Sequence, residues 1–353
     1  MANFDRKIKV AAVQAGSVYR DAPQYVDCKA TLEKAIGLIE EAGRQGARLV
    51  VFSECFLPAY PHWSLDLGDR AHFNDMWGKY LWNSVEVPGP ETEALCAAAK
   101  RAGTLIAVGI NERDKKYQGR MYNSALYISP KGEVIGTHRK ICNTVQERFF
   151  HTPGEGGDNL KTVFDTEIGR IGGSICGEHC QVLLNYCWIM EGIQIHCSMW
   201  PGHAGIETHT DIHTRALCYS AHSFGVLSAS YMSEQDYPKN FYSNSVFEKN
   251  IRFRGGSGIV SPWGEYIAGP VYDKEAIVYA DIDLGDTDRA RNAINLTGIY
   301  SRWDILSLTM RQDPCEPIVP MAKGPAAESK KLSELEARIE ELEEINRAGK
   351  ENK

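Results

Sequence analysis

Apolar and polar residues alternate along this chain in two distinct rhythms. Residues 8–15 (Ile-Lys-Val-Ala-Ala-Val-Gln-Ala) predict a first strand, and residues 48–52 (Arg-Leu-Val-Val-Phe) form a near-continuous apolar run, as in a strand buried on both faces. Between them Leu32, Ala35, Ile36 and Ile39 make a helical stripe, predicting a helix over 29–44 that closes near Gly46. A helix is expected over 91–102 and a strand over 104–110. Residues 123–128 and 132–138 read as a strand pair around the turn Ser129-Pro130-Lys131-Gly132. Residues 171–175 predict a short strand containing glycine, and 182–190 (Val-Leu-Leu-Asn-Tyr-Cys-Trp-Ile-Met) a buried helix. Another apolar run covers 193–199, a helix is expected over 209–221, and strands over 225–230, 258–261 and 276–283. Strands alternate with helices early and then follow one another closely. That order predicts an α/β layered sandwich with mixed sheets. No solenoid-like or propeller-like period interrupts it.

Composition changes near Arg311. Asp313-Pro-Cys-Glu-Pro and residues 320–325 have linker character, so the main domain is expected over 1–312 and a tail over 313–353. Leu332, Leu335, Ile339 and Leu342 form a 3-4-3 stripe in that tail. It predicts a short amphipathic helix, with a frayed charged tail as the competing reading. The net charge of −7 argues against nucleic acid or an anionic membrane as partner. Ten cysteines in 353 residues show no regular framework, and no stretch reads as a membrane span or an apolar leader. The expectation is a cytoplasmic protein with reduced thiols.

Chemistry concentrates at strand ends. Cys176 falls where the strand 171–175 turns towards a helix, an elbow that presents a side chain outward while the following N–H groups face a bound anion or imidate. The competing reading is a buried structural thiol. Glu54 follows Val50, Val51 and Phe52, where burial would raise its pKa and suit it to act as a base near neutrality. The alternative is an exposed strand-end carboxylate. Lys140 ends a His138-Arg139-Lys140 triplet, and its ammonium would stabilise charge at an attacked carbon, unless it lies on a solvated surface. Glu147 is a candidate second carboxylate, or a surface partner of Arg148.

Taken together, Phe52-Ser-Glu54-Cys-Phe-Leu-Pro58-Ala-Tyr60-Pro61, His138-Arg-Lys140 continuing to Glu147-Arg148, and Cys176-Gly-Glu178-His179 resemble, in order and spacing, the nitrilase branch of the carbon-nitrogen hydrolases. The resemblance runs from Lys9 to about Leu308. It implies a four-layer αββα sandwich, with Glu54, Lys140 and Cys176 in the family's Glu-Lys-Cys roles and Glu147 as its additional glutamate. It also implies a small nitrile as substrate, no cofactor, and homo-oligomers from dimers to larger spirals. The alternative within the same superfamily is an amidase. Tyr60, Gly177 and Trp200 are the candidate substrate contacts, Gly177 through its backbone N–H.

Three departures bear on substrate range. Gly177 stands where the branch usually has Trp, Asn143-Thr144 where it usually has Pro-Thr, and Gly298-Ile-Tyr300-Ser-Arg302-Trp-Asp304 replaces a Gly-His-Tyr-x-Arg-Pro-Asp motif. The missing indole predicts either open volume beside Cys176, unless Tyr60, Trp63 or Trp200 fills it, or a backbone need for glycine at positive φ. His209 and His213, four residues apart near His203 and Glu207, form a rival metal constellation. They lack a His-Glu-x-x-His pattern and a clear third ligand, so no metal is expected.

Overall fold

In the computed structural model, residues 6–65, 68–160, 162–239, 241, 252–310, 333 and 335–341 are described. The chain divides into two compact units, Met1–Gln312 and Asp313–Lys353. In the second unit residues 335–341 are helical, with Leu335 and Ile339 exposed; Leu332 and Leu342 of the expected stripe lie outside the described residues.

Two sheets organise the first unit. One has the order β13 (Ala276–Asp283), β1 (Lys7–Gln14), β2 (Ala47–Val51), β3 (Leu105–Arg113), β4 (Met121–Ile128), β5 (Val134–Arg139). The other runs β10 (Tyr231–Met232), β11 (Phe253–Val260), β9 (Phe224–Ala229), β8 (Ile195–Trp200), β7 (Gly169–Ile175), β6 (Val163–Thr166), with β12 (Tyr266–Tyr272) also on β11. The centre of each sheet is parallel, β1-β2-β3 in one and β7-β8-β9 in the other, with antiparallel strands outside.

Side-chain alternation builds the layers. Val10, Ala12, Leu49, Val51, Leu105 and Ala107 of the first sheet pack against Ile171, Ile195, Cys197, Met199 and Val226 of the second. Their alternate neighbours Ala11, Val13, Val50, Ile106 and Val108 face the opposite way, onto Ala35 and Ile39 of helix α1 (Cys28–Arg44) and Leu95 and Ala98 of α3 (Pro90–Ala102). Each strand of this region thus buries both faces, which is why it is written in apolar residues without polar alternation. On the second sheet's outer face, Trp188 and Ile189 of α4 (Val182–Met190) pack with Leu217 and Ala221 of α5 (Glu207–Ala221). The result is an αββα sandwich.

Local signals mark the helix ends. The Asp27 carboxylate accepts the Ala30 N–H to open α1, Pro90 occupies the first turn of α3, and Gly103 closes α3 in the left-handed conformation.

Two expectations are corrected. Helix α4 is not buried throughout: Val182 and Leu183, at its start, are 77% and 66% exposed. A run of nine mostly apolar residues has no periodicity to show which side faces solvent. Helix α2 (Arg70–Asn83) has no counterpart in the sequence reading, because only Met76 and Tyr80 are buried along its fourteen residues. Their packing with Trp63, Phe150 and Phe241 holds it in place, and that is tertiary contact.

Candidate active site

Strand ends of both sheets deliver the site. Glu54 lies three residues beyond β2, Lys140 directly follows β5, and Cys176 directly follows β7. Glu147 sits in a 3₁₀ turn, Val145–Phe149. Three of these loops hold a non-glycine residue at positive φ: Cys55 at 46°, Val145 at 41° and Cys176 at 49°. Such conformations are costly, most of all for β-branched Val145, and cluster where function over-determines the backbone. The Glu54 loop can lie this close to the sheet because Gly109 on β3 has no Cβ. One built there would fall 2.1 Å from the Ser53 carbonyl oxygen and 2.9 Å from Glu54 Cα.

Four buried side chains interlock. Lys140 Nζ donates to Glu54 Oε1 at 2.8 Å and to Glu147 Oε2 at 2.7 Å. Asn123 Nδ2, from β4, donates to Glu54 Oε1 and to Glu147 Oε1, both at 2.7 Å. Glu147 Oε2 also accepts from the Thr144 N–H and hydroxyl, each at 2.8 Å. Glu54 Oε2 is buried and has no hydrogen-bond partner. One carboxylate is therefore tied down on both oxygens, and the other presents one oxygen free.

Electrostatics separates the two acids. Burial pushes Glu54 up to about 7, since the Lys140 ammonium only partly offsets the desolvation and the neighbouring Glu147 charge adds to it. Burial would raise Glu147 as well, but Lys140 and His151 outweigh it and hold that carboxyl well below the usual range. Burial and the two carboxylates push the Cys176 thiol well up, against Lys140 and the Gly177 N–H, which donates to its sulfur. The Cys176 thiol thus holds its proton more tightly than a free thiol, with Glu54 among the charges close enough to act on it. Its side chain is only half-buried, unlike the four groups beneath it.

The elbow at Cys176 is held from both sides. Glu178 accepts the N–H of Ile175 at 3.0 Å and of Ile141 at 2.6 Å, and pairs with His138 at 2.9 Å. One buried carboxylate thereby ties the end of β7 to the chain carrying Lys140. His179 Nδ1 donates to the Cys176 carbonyl at 2.8 Å, and its Nε2 accepts from the Ser198 hydroxyl at 2.8 Å.

Of the expected substrate contacts, Tyr60 is half-buried, edge-on to His203 at 4.9 Å, in an aromatic wall continued by Phe253. Trp200 is buried, stacked on His179 at 4.7 Å, with its indole N–H donating to Ser198 and Thr214. Cys176 packs against the cluster that Trp200 forms with Leu227 and Ala229. The expectation beside Cys176 is open volume or its filling by Tyr60, Trp63 or Trp200; at Gly177 it is Thr144 that stands in the way of a side chain, since a Cβ there would fall 2.4 Å from Thr144 Cγ2. Nor is Gly177 at positive φ; the strained residue is Cys176 itself. Gly177→Trp must therefore displace the side chain that caps Glu147. We expect kcat to fall roughly 10- to 100-fold for small and aryl nitriles alike, as for misplaced catalytic groups. A change confined to the ratio of the two kcat/KM values, in a protein of unchanged Tm, would contradict this.

His209 and His213 stack on one face of α5, at 6.2 Å between ring centres. Among the described residues no three His, Cys, Asp or Glu side chains converge on a metal position. Asn123 is a site residue that sequence reasoning did not single out, and Thr144 entered it only within the Asn143-Thr144 departure. Neither shows its hydrogen-bonding role without its partners.

The sequence model of the carbon-nitrogen hydrolase family matches residues 9–292. Nitrilase 2 of Arabidopsis thaliana is 34% identical over 331 residues, covering 91% of this chain and 94% of its own length. A nitrilase of Penicillium rubens is 35% identical over 335 residues, covering 90% and 97%. Among solved structures, Saccharomyces cerevisiae Nit3, a nitrilase-superfamily member, shares the fold with a TM-score of 0.65 at 24% identity, over 84% of this chain and 97% of its own. Sequence and architecture agree, and the chain belongs to the carbon-nitrogen hydrolase family, in its nitrilase branch.

Proposed function

We propose that this carbon-nitrogen hydrolase is a nitrilase, converting a small organic nitrile and two waters to the carboxylic acid and ammonia without a cofactor. The observation that carries the reading is the pairing of a half-buried Cys176 thiol at a strained strand end with a buried Glu54 that keeps one oxygen free. Glu54 takes the thiol proton as sulfur attacks the nitrile carbon, and the nitrogen receives that proton to give a thioimidate. Water activated by Glu54 adds to the thioimidate carbon, and Glu54 passes the proton it took from that water to the nitrogen. The Lys140 ammonium and the Gly177 N–H stabilise the charge of the tetrahedral species. Its C–N bond then breaks, the hydroxyl proton goes to the departing nitrogen, and ammonia leaves a thioester. A second water, activated in the same way, releases the acid and restores the thiol.

The test is a panel of benzonitrile, phenylacetonitrile, butyronitrile and 3-cyanopyridine, assayed for acid, amide and ammonia, with the matching amides alongside. Acid and ammonia in equal amounts from a nitrile support the reading. Turnover of the amides alone would replace it with an amidase. Amide is measured because a tobacco relative, 34% identical, is named a bifunctional nitrilase/nitrile hydratase. Self-association is part of the same proposal. Val182 and Leu183 on α4 and Ile212 and Tyr219 on α5 are exposed apolar side chains of the kind that subunit contacts cover. Light scattering of the full chain should report a mass above one protomer.

A further inference from the structure

We propose that Asn123 is a positioning residue that assigns the two glutamates their different tasks, holding one oxygen of Glu54 so that the other is the base. The inference rests on the reading of Glu54 as general base. Asn123 touches three members of the site. Its Nδ2 donates to Glu54 Oε1 and to Glu147 Oε1, and its backbone carbonyl accepts the Lys140 N–H at 2.7 Å. The two hydrogens of one NH2 group are thus both committed, one to each carboxylate. The orientation of the amide is not arbitrary, since turning it over would place its oxygen against two carboxylate oxygens. The cost of this arrangement is visible in Asn123 Oδ1, which is buried with no hydrogen-bond partner.

The chemistry explains why an amide serves here. Glu54 accepts from Lys140 and Asn123 on the same oxygen, Oε1, which fixes the rotation of its carboxyl group and leaves Oε2 free. A neutral donor does this without adding charge. A second cation in place of Asn123 would hold Glu54 permanently ionised and weaken it as a base. The groups facing Glu54 are Lys140 from the end of β5, Glu147 from its 3₁₀ turn, Cys176 from the end of β7, and Cys55 and Tyr60 from its own loop. Lys140 is the one cation among them. It is shared with Glu147, so Asn123 is the group that orients Glu54 without neutralising it.

The test compares Asn123→Leu, which removes both donors at similar volume, with Asn123→Ser, which removes the amide but keeps a hydroxyl, and with Glu54→Gln. The substrate is whichever nitrile of the panel above turns over fastest. For both Asn123 variants kcat should fall, by about 100-fold for Leu and less for Ser, with KM changed only a few-fold. Loss of a hydrogen bond to the ionised carboxylate raises its pKa, so the acid limb of kcat/KM should move to higher pH. A merely structural Asn123 would lower Tm but leave the acid limb of the surviving active protein in place, and that result overturns the proposal. If Asn123→Leu does not fold, Asn123→Ser decides; failure of the serine variant to fold would assign Asn123 a structural role and also overturn it. If Glu54→Gln retains the acid limb, the general-base reading of Glu54 has failed. If Glu54→Gln removes activity while Asn123→Ser keeps both kcat and the limb, only the inference about Asn123 has failed.

Discussion

Replacing Cys176 with alanine is expected to abolish turnover, by at least about 10⁴-fold in kcat, while leaving the melting temperature nearly unchanged. The side chain is small and half-buried, and its sulfur accepts only from the adjacent Gly177 N–H, while the elbow is held by Glu178 and His179. Alanine meets the same backbone strain at φ 49° as cysteine does, so the fold has no reason to change. Binding and the charged floor of the site would remain, yet neither forms the covalent bond. Intact-protein mass spectrometry during turnover of a slow nitrile should show an acyl or imidoyl adduct on the wild type and none on Cys176→Ala. Residual activity above about 1% of wild type would remove Cys176 from its role, given the size of nucleophile effects.

Glu54→Gln and Lys140→Met should each lower kcat by roughly 10³-fold or more, but with opposite consequences for stability. Glutamine keeps an acceptor for Lys140 and Asn123 and loses the proton acceptor. One buried charge disappears, so Tm should hold or rise. Because the Glu54 charge is one of the causes that push the Cys176 thiol up, its removal in Glu54→Gln should bring the thiol down and speed its reaction with iodoacetamide even as turnover is lost. Methionine at 140 leaves two carboxylates side by side in a buried site without their shared cation. Removing one partner of such a cluster costs about 3–5 kcal/mol, and a clear drop in Tm should accompany the lost activity. As the proposed general base, Glu54 would have to be ionised to act; burial pushes its pKa up to about 7, so kcat/KM should fall as the pH is lowered through neutrality. Glu147, held low by Lys140 and His151, stays ionised throughout that range and adds no limb of its own. Near-normal kcat in either variant, or a flat profile between pH 6 and 8, would contradict these assignments.

What the chain by itself determined is the part written in local pattern. Val10 to Val13, Leu49 to Val51 and Leu105 to Val108 are apolar at every position because each strand packs a sheet on one face and helices on the other. The stripe Leu32, Ala35, Ile36 and Ile39 marked helix α1, which ends at Arg44 just before Gly46 at φ 80°. Glu54 and Cys176 could be picked out as reactive side chains at the ends of predicted strands, and Lys140 as the last of a basic triplet after one, in an order shared with a known family.

Tertiary structure decided what those residues are to one another. Glu54 and Lys140 lie 86 residues apart, and Asn123 lies 69 from Glu54, yet one cluster holds all three. Nothing near Asn123 in the sequence separates it from any other strand asparagine; its meaning comes from two carboxylates delivered by other elements. The different proton affinities of Glu54 and Glu147 have the same origin, since both are buried and the difference lies in how many donors each one meets. Thr144 against Gly177 reverses what the missing indole suggested, because space is set by what approaches from elsewhere and not by the residue that is absent. Local sequence limits backbone conformation and the polarity of a face. Distances between side chains far apart in the chain, and therefore desolvation and charge, exist only once the two sheets have packed.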